Sequence, residues 1–164
     1  MTRIGLLSDT HGYLDDSILE HFQHCDEIWH AGDWGEGDLL EKLAAFKPLR
    51  SVYGNIDSLA IRNRFPEVLL FDCEAVKVMI KHIGGYPPKY NTATKKQIKE
   101  AQPHIFISGH SHILKIMYDE QLACLHMNPG AAGKQGWHKV RTLIRFTIDG
   151  KDISNCEVIE LAGR

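Results

Sequence analysis

No stretch of the 164-residue chain is apolar for long enough to cross a membrane. Neither sign of charge is in excess: 19 Lys and Arg stand against 21 Asp and Glu, giving a net charge of −2 and a pI near 6.5. That balance argues against a surface built to coat nucleic acid or another polyanion. The four cysteines, Cys25, Cys73, Cys124 and Cys156, lie far apart with no Cys-x-x-Cys pair. They read as reduced, mostly buried thiols and not as a disulfide frame. No basic-then-apolar leader precedes the first apolar run, so a cytoplasmic location is expected. Repeats, low-complexity tracts and linkers are also missing, and residues 1–164 read as one domain.

What the chain does have is histidine, ten in all. The densest use is Gly109-His110-Ser111-His112, directly after the apolar run Ile105-Phe106-Ile107-Ser108. Two histidines at i, i+2 at the mouth of a strand point to the same side. Histidine is the commonest protein metal ligand, and a leading glycine lets backbone approach a bound group closely.

The rest of the chain leads toward this stretch. Ile4 to Ser8 reads as a strand buried on both faces, ending in Asp9-Thr10-His11. A helix over residues 15–24 follows, with Ile18, Leu19 and Phe22 inward. Glu27 to His30 is a second strand, ending in the turn Ala31-Gly32-Asp33. A helix over residues 38–46 stops at Pro48, and Leu49 to Tyr53 is a third strand, ending at Gly54-Asn55-Ile56-Asp57. Strand–helix–strand–helix–strand predicts a parallel sheet with right-handed crossovers. Ligands of such sheets bind beyond the carboxyl ends of the strands. An Asp in a turn ordinarily bonds only its own loop, and Ser8 or Asp9 read alone could cap the following helix. Neither account explains why His11, Asp33 and Asn55 all follow strands.

Residues 58–64 are polar and read as irregular. Residues 68–71 and 75–80 form a hairpin of a second sheet that delivers His82. Residues 84–91 are too rich in Gly and Pro for a helix or central strand and read as a loop over the site. A polar helix over residues 92–101 follows. Two more hairpins are expected, over residues 114–127 and 140–159. Seven residues of metal-binding type thus project from strand ends: Asp9, His11, Asp33, Asn55, His82, His110 and His112. Nitrogen and oxygen donors without thiolate suit manganese, iron, nickel or zinc better than magnesium or calcium, and manganese is the first expectation. Seven donors exceed what one ion takes and fit two ions sharing a carboxylate, as in two-metal phosphoryl-transfer sites.

The ordered motifs Asp-x-His, Gly-Asp, Gly-Asn, His and Gly-His-x-His resemble the calcineurin-like metallophosphoesterase superfamily, above all its small single-domain bacterial and archaeal phosphodiesterases. They span residues 9–112, and Asn128-Pro129-Gly130 resembles the family's trailing loop. The resemblance implies an α/β fold, a four-layer α-β-β-α sandwich of two mixed sheets. It implies that Asp9, His11 and His112 hold one divalent transition-metal ion, that Asn55, His82 and His110 hold a second, and that Asp33 bridges them. It further implies hydrolysis of a small phosphodiester by a hydroxide between the ions, with Asn55 neutralising charge on the phosphoryl oxygens. The chain departs from many members in having Ile56 where a histidine serves the leaving group. The small phosphodiesterases share that feature, and it weighs against phosphomonoesters. His82 runs into Ile83-Gly84-Gly85 instead of the more usual Gly-His. Lys89 and Tyr90, stiffened by Pro87-Pro88, are expected to reach a substrate from that loop. The competing expectation is a scaffold of the retromer-subunit type, a relative in fold that works through protein contacts. Oligomeric state is left open.

Overall fold

The computed structural model describes residues 1–163. The elements run β1 (Thr2–Leu7), α1 (Asp16–Phe22), β2 (Glu27–His30), α2 (Leu39–Phe46), β3 (Leu49–Ser51), α3 (Leu59–Arg64), β4 (Val68–Cys73), β5 (Val76–Lys81), β6 (Gly85–Tyr86), β7 (Lys89–Tyr90), α4 (Thr92–Ala101), β8 (Ile105–Ile107), β9 (Lys115–Asp119), β10 (Cys124–Asn128), β11 (Arg141–Asp149) and β12 (Asp152–Leu161). One sheet has the order β12-β11-β1-β2-β3 and the other β4-β5-β8-β10-β9. Strands β1, β2 and β3 are parallel, as are β5, β8 and β10, while the hairpin partners β4, β9, β11 and β12 run antiparallel. Both sheets are therefore mixed.

Period-two alternation sorts the strands' side chains into layers. Ile4 and Leu6 of β1 and Ile105 and Ile107 of β8 enter the core between the sheets, with Trp29, Ile80 and Phe146. Leu7 turns the other way, onto Ile18, Phe22 and Leu43 of the helices. Phe106 faces the opposite outer layer, against Ile98 of α4. The result is the expected four-layer α-β-β-α sandwich. Each fully buried Ile or Leu contributes about 1.5–3 kcal/mol. Both sheets are thereby clamped to one shared core, and the ends of β1, β2, β3, β5 and β8 are held firmly.

Two segments differ from expectation. Residues 58–64 are not irregular: Ser58 caps α3 by accepting from the Ile61 amide at 3.4 Å. Ile61 is that helix's one buried apolar side chain, so there is no period to read. Residues 84–91 are not a plain loop either. They form a ribbon in which Gly85 pairs with Tyr90 and Tyr86 with Lys89.

Candidate metal centre

The site is assembled from the carboxyl ends of strands in both sheets. Asp9 follows β1, Asp33 follows β2, Asn55 follows β3, His82 follows β5, and His110 and His112 follow β8. Backbone bonds join these turns: the Asp9 amide donates to the Gly32 carbonyl and the Gly109 amide to the His82 carbonyl, both at 3.0 Å. The His110 amide donates to Asp9 Oδ2 at 3.1 Å, which ties the two sheets together at the site.

Two groups of donor atoms result, each within 4.8 Å of one another: Asp9, His11 and His112, and Asp33, His82 and His110. Either group could hold a metal ion. Asn55 adds an oxygen beside the second, its Oδ1 lying 3.1 Å from His110 Nδ1. Between the groups lies Asp33 Oδ2, 3.4 Å from His11 Nε2 and 3.2 Å from His82 Nε2. Asp9 Oδ1 lies 3.1 Å from His112 Nε2. Bonds of roughly 2.1 Å to one ion put neighbouring ligand atoms roughly 3 Å apart, and these spacings match.

The atoms left over support a cation. Asp9 Oδ1, His11 Nε2 and His82 Nε2 are buried and accept or donate no hydrogen bond. Three orphaned donor atoms converging in one place would be costly without a bound group. His82 is also set up as a ligand, because its Nδ1 donates to the Ala31 carbonyl at 2.7 Å and leaves Nε2 facing the centre.

Electrostatics agree. Burial pushes the Asp9 carboxyl up, but His11, His112, His82 and the Ser8 hydroxyl outweigh it and hold it well below the usual range. Burial likewise opposes ionisation of Asp33, and His82 reverses the balance. The Asp9 carboxylate, 3.9 Å from His11 Nε2, raises His11.

Five of the seven candidate residues have left-handed backbone: Asp9 (φ 54°), His11 (44°), Asp33 (59°), His110 (70°) and His112 (61°). For a residue with a Cβ this conformation costs about 1–2 kcal/mol, and such strain concentrates at functional sites. It also corrects the strand-based expectation that His110 and His112 point the same way. In left-handed turns they separate, His110 joining one group and His112 the other.

The two expected substrate contacts, Lys89 and Tyr90, sit in the β6–β7 ribbon. Tyr90 packs on Phe106 at 6.0 Å between ring centroids, and its hydroxyl donates to Asp119 Oδ2 at 2.9 Å. Its ring is part of the outer layer over β8 and β10. Lys89 stands exposed opposite Tyr86 in the ribbon. Pairing of β6 with β7, invisible as a period in so short a segment, fixes both directions.

Several residues that shape the centre were not singled out from sequence. Asp57 accepts from the amides of Gly54 (2.7 Å), Asp33 (3.1 Å) and Gly35 (3.0 Å), lacing the β3 turn to the β2 turn. Ser8 Oγ donates to Asp9 Oδ2 at 2.6 Å. Asn128 Nδ2 donates to the Gly109 carbonyl at 3.0 Å and so orients the Gly-His-Ser-His turn. His30 is fully buried and stacked on Trp34, and burial lowers its pKa to about 3. Gly136 backs onto the His112 ring, while the neighbouring Trp137 is 99% exposed. The Gly-Asn-x-Asp spacing was a usable signal for Asp57, since Asp commonly binds the amides of its own turn.

Comparison with known proteins agrees with this geometry. The calcineurin-like phosphoesterase superfamily domain matches residues 2–151. A probable metallophosphoesterase of Methanothermobacter thermautotrophicus is 31% identical over 134 residues, 78% of this chain and 76% of that protein. Among solved structures, a predicted phosphoesterase of Streptococcus pneumoniae superposes with a TM-score of 0.68 at 22% identity, covering 98% of each chain. Vps29 of Entamoeba histolytica complexed with zinc gives 0.76 at 15% identity, covering 96% of this chain and 98% of that one. At these identities the structures share the fold. The fold and site define a metal-dependent phosphoester hydrolase architecture. The chain belongs to the calcineurin-like phosphoesterase superfamily.

Proposed function

We propose that the chain is a phosphodiesterase working with two divalent transition-metal ions, manganese first among them, on small phosphodiesters. The observation that carries this is the pair of facing donor groups with Asp33 Oδ2 between a histidine of each. Asp9, His11 and His112 would hold one ion, Asn55, His82 and His110 the other, and Asp33 both. Bound there, the ions would supply Lewis-acid polarisation of the phosphoryl group and a nucleophile from water of lowered pKa.

The chain's own residues then do three things. Asp33 is fixed for a shared role, since its Oδ1 accepts from the Ile56 amide at 3.1 Å and leaves Oδ2 toward both histidines. Asn55 is held by Arg62, whose Nη2 donates to the Asn55 carbonyl at 2.9 Å. That bond fixes the Asn55 backbone, the side-chain Oδ1 lies beside His110 Nδ1, and the side-chain N–H would serve to stabilise charge on a phosphoryl oxygen. Ile56, 46% exposed, brings no proton to a departing alkoxide. Leaving groups that depart unprotonated are therefore favoured, and diesters over monoesters.

Among the described residues no helix is long and apolar enough to cross a membrane. The cysteines described are all free, which supports a reducing, cytoplasmic setting. Likeness in fold to Vps29 favours a second reading, a protein-interaction scaffold. Against it stand the orphaned, buried donor atoms, which a scaffold has no need to keep. Metal analysis of protein purified without chelator, followed by kinetics on matched aryl diesters and monoesters, tests the proposal. Two ions per chain and faster diester hydrolysis are expected; one ion with full activity, or a preference for the monoester, refutes it.

A further inference from the structure

On the outer face of the second sheet, beside the Gly-His-Ser-His turn, lies a pocket of about 80 Å³ lined by Tyr86, Ser111, Ile113, Lys115 and His126. Its floor is His126, 0% exposed and stacked on Phe106. The ring's Nδ1 lies 3.2 Å from the Phe106 carbonyl. A carbonyl can only accept, so Nδ1 carries the proton and Nε2 is a bare acceptor. That Nε2 is buried and has no partner, an arrangement that costs free energy unless a donor arrives.

The walls supply the opposite chemistry. Ser111 Oγ accepts from Asn128 Nδ2 at 3.1 Å and from the Ile113 amide at 3.2 Å, so its own proton remains to donate. Lys115 Nζ sits 3.9 Å above the Tyr86 ring. An acceptor thus lies beside two donors, next to an aromatic and an aliphatic wall. Because one water needs roughly 10–15 Å³ of such space, the pocket has room for the edge of one ring and not for a whole nucleotide. Ser111 lies between His110 and His112 in the chain, so the pocket and the metal centre share one turn.

We propose that this pocket is a subsite for the organic group of the substrate and takes the edge of a planar ring bearing an N–H beside a C=O, as in a pyrimidine imide. The proposal rests on the phosphodiesterase reading for its substrate, but not for its binding chemistry. The ring N–H donates to His126 Nε2, and the carbonyl accepts from Ser111 and Lys115. Burial also lowers the His126 pKa to about 4, which keeps Nε2 bare at neutral pH.

The test is a titration of the full chain, without added metal, with uridine and with 3-methyluridine, followed by NMR of the His126 ring and of the Tyr86, Ser111 and Lys115 amides. Uridine is expected to shift these signals and to bind about tenfold more tightly than 3-methyluridine, as for loss of one buried hydrogen bond. His126→Phe is expected to abolish that difference. Equal binding of the two nucleosides, or no binding by a chain that hydrolyses diesters, overturns the proposal. Selective uridine binding by a chain inactive on every diester supports the pocket and counts against the phosphodiesterase reading alone.

Discussion

Asp57 is not among the candidate ligands, yet its loss is expected to loosen the centre. Its carboxylate is 5% exposed and accepts three backbone amides from two turns. Replacement by alanine removes all three bonds and strands buried N–H groups. At about 1–1.5 kcal/mol per bond the loss is about 3–4.5 kcal/mol. Burial of the charge works the other way and leaves the Asp57 pKa raised despite the Gly54 and Gly35 amides, so the lower end, about 3 kcal/mol, is expected. In Asp57→Asn one oxygen can still serve Gly54 and Asp33, while the amide nitrogen meets the Gly35 N–H. That variant should fall between the other two, at about 1–2 kcal/mol. Urea unfolding of the metal-free chain reads these values, and in a domain of this size about 3 kcal/mol moves Tm by about 6–12 °C. Metal affinity should fall together with stability, by about 10–100-fold, because the turn carrying Asp33 loses its anchor. An alanine variant within 1 kcal/mol of the parent, or an asparagine variant weaker than the alanine one, would refute the reasoning.

Asp33→Ala is expected to lose activity at every metal concentration, whereas Asp9→Ala, touching one ion, should recover partly in excess metal; equal rescue in titrations of the two would show that Asp33 is not shared. His126 gives a pH dependence: its folded pKa lies near 4 and its unfolded value near 6.5. Its contribution is therefore complete above pH 6.5 and is lost as pH falls toward 4, about 2 kcal/mol of it by pH 5. Urea midpoints at pH 7.5 and 5.0 should differ less in His126→Phe by that amount, and an unchanged difference would sink the assignment. Trp137 is exposed and follows Gly136, which backs onto the His112 ring; Trp137→Ala should keep stability within about 0.5 kcal/mol of the parent, as at other exposed sites, and raise KM for aryl diesters, and an unchanged KM across several diesters would show that the indole does not meet the substrate.

Much of the centre was legible because strand-end position and residue type carry it. A short apolar run ending in a polar turn announces where a parallel strand stops, and the donors stand there. Asp9, His11, Asp33, Asn55, His82, His110 and His112 needed no tertiary information beyond sheet order. What stayed hidden depends on distant partners. Tyr90 reads as a loop aromatic until Phe106 and Asp119, brought near only by the second sheet, give it a place in the outer layer. The helix α3 hides because one buried residue makes no period. His126 looks like any strand residue until the Phe106 carbonyl fixes its tautomer and the pocket opens above it.

The glycines preceding the ligands show how a correct motif can be read for an incomplete reason. From sequence, a glycine before a histidine or asparagine allows close approach to a bound group. In the fold, a Cβ at Gly54 would collide with the Asp33 carboxylate, and one at Gly109 with the Ser8 hydroxyl and the Asp9 carboxylate. The first close approach is thus to the ligands of the neighbouring strand. Neither glycine has a positive φ, whereas the candidate ligands Asp9, Asp33, His110 and His112 do. The backbone strain falls on the candidate ligands, and Gly54 and Gly109 remove bulk so that carboxylates from different strands can close around one space. Two donor groups with orphaned atoms between them follow from that packing. The same packing explains why a glycine precedes the candidate ligand at Gly32-Asp33, Gly54-Asn55 and Gly109-His110.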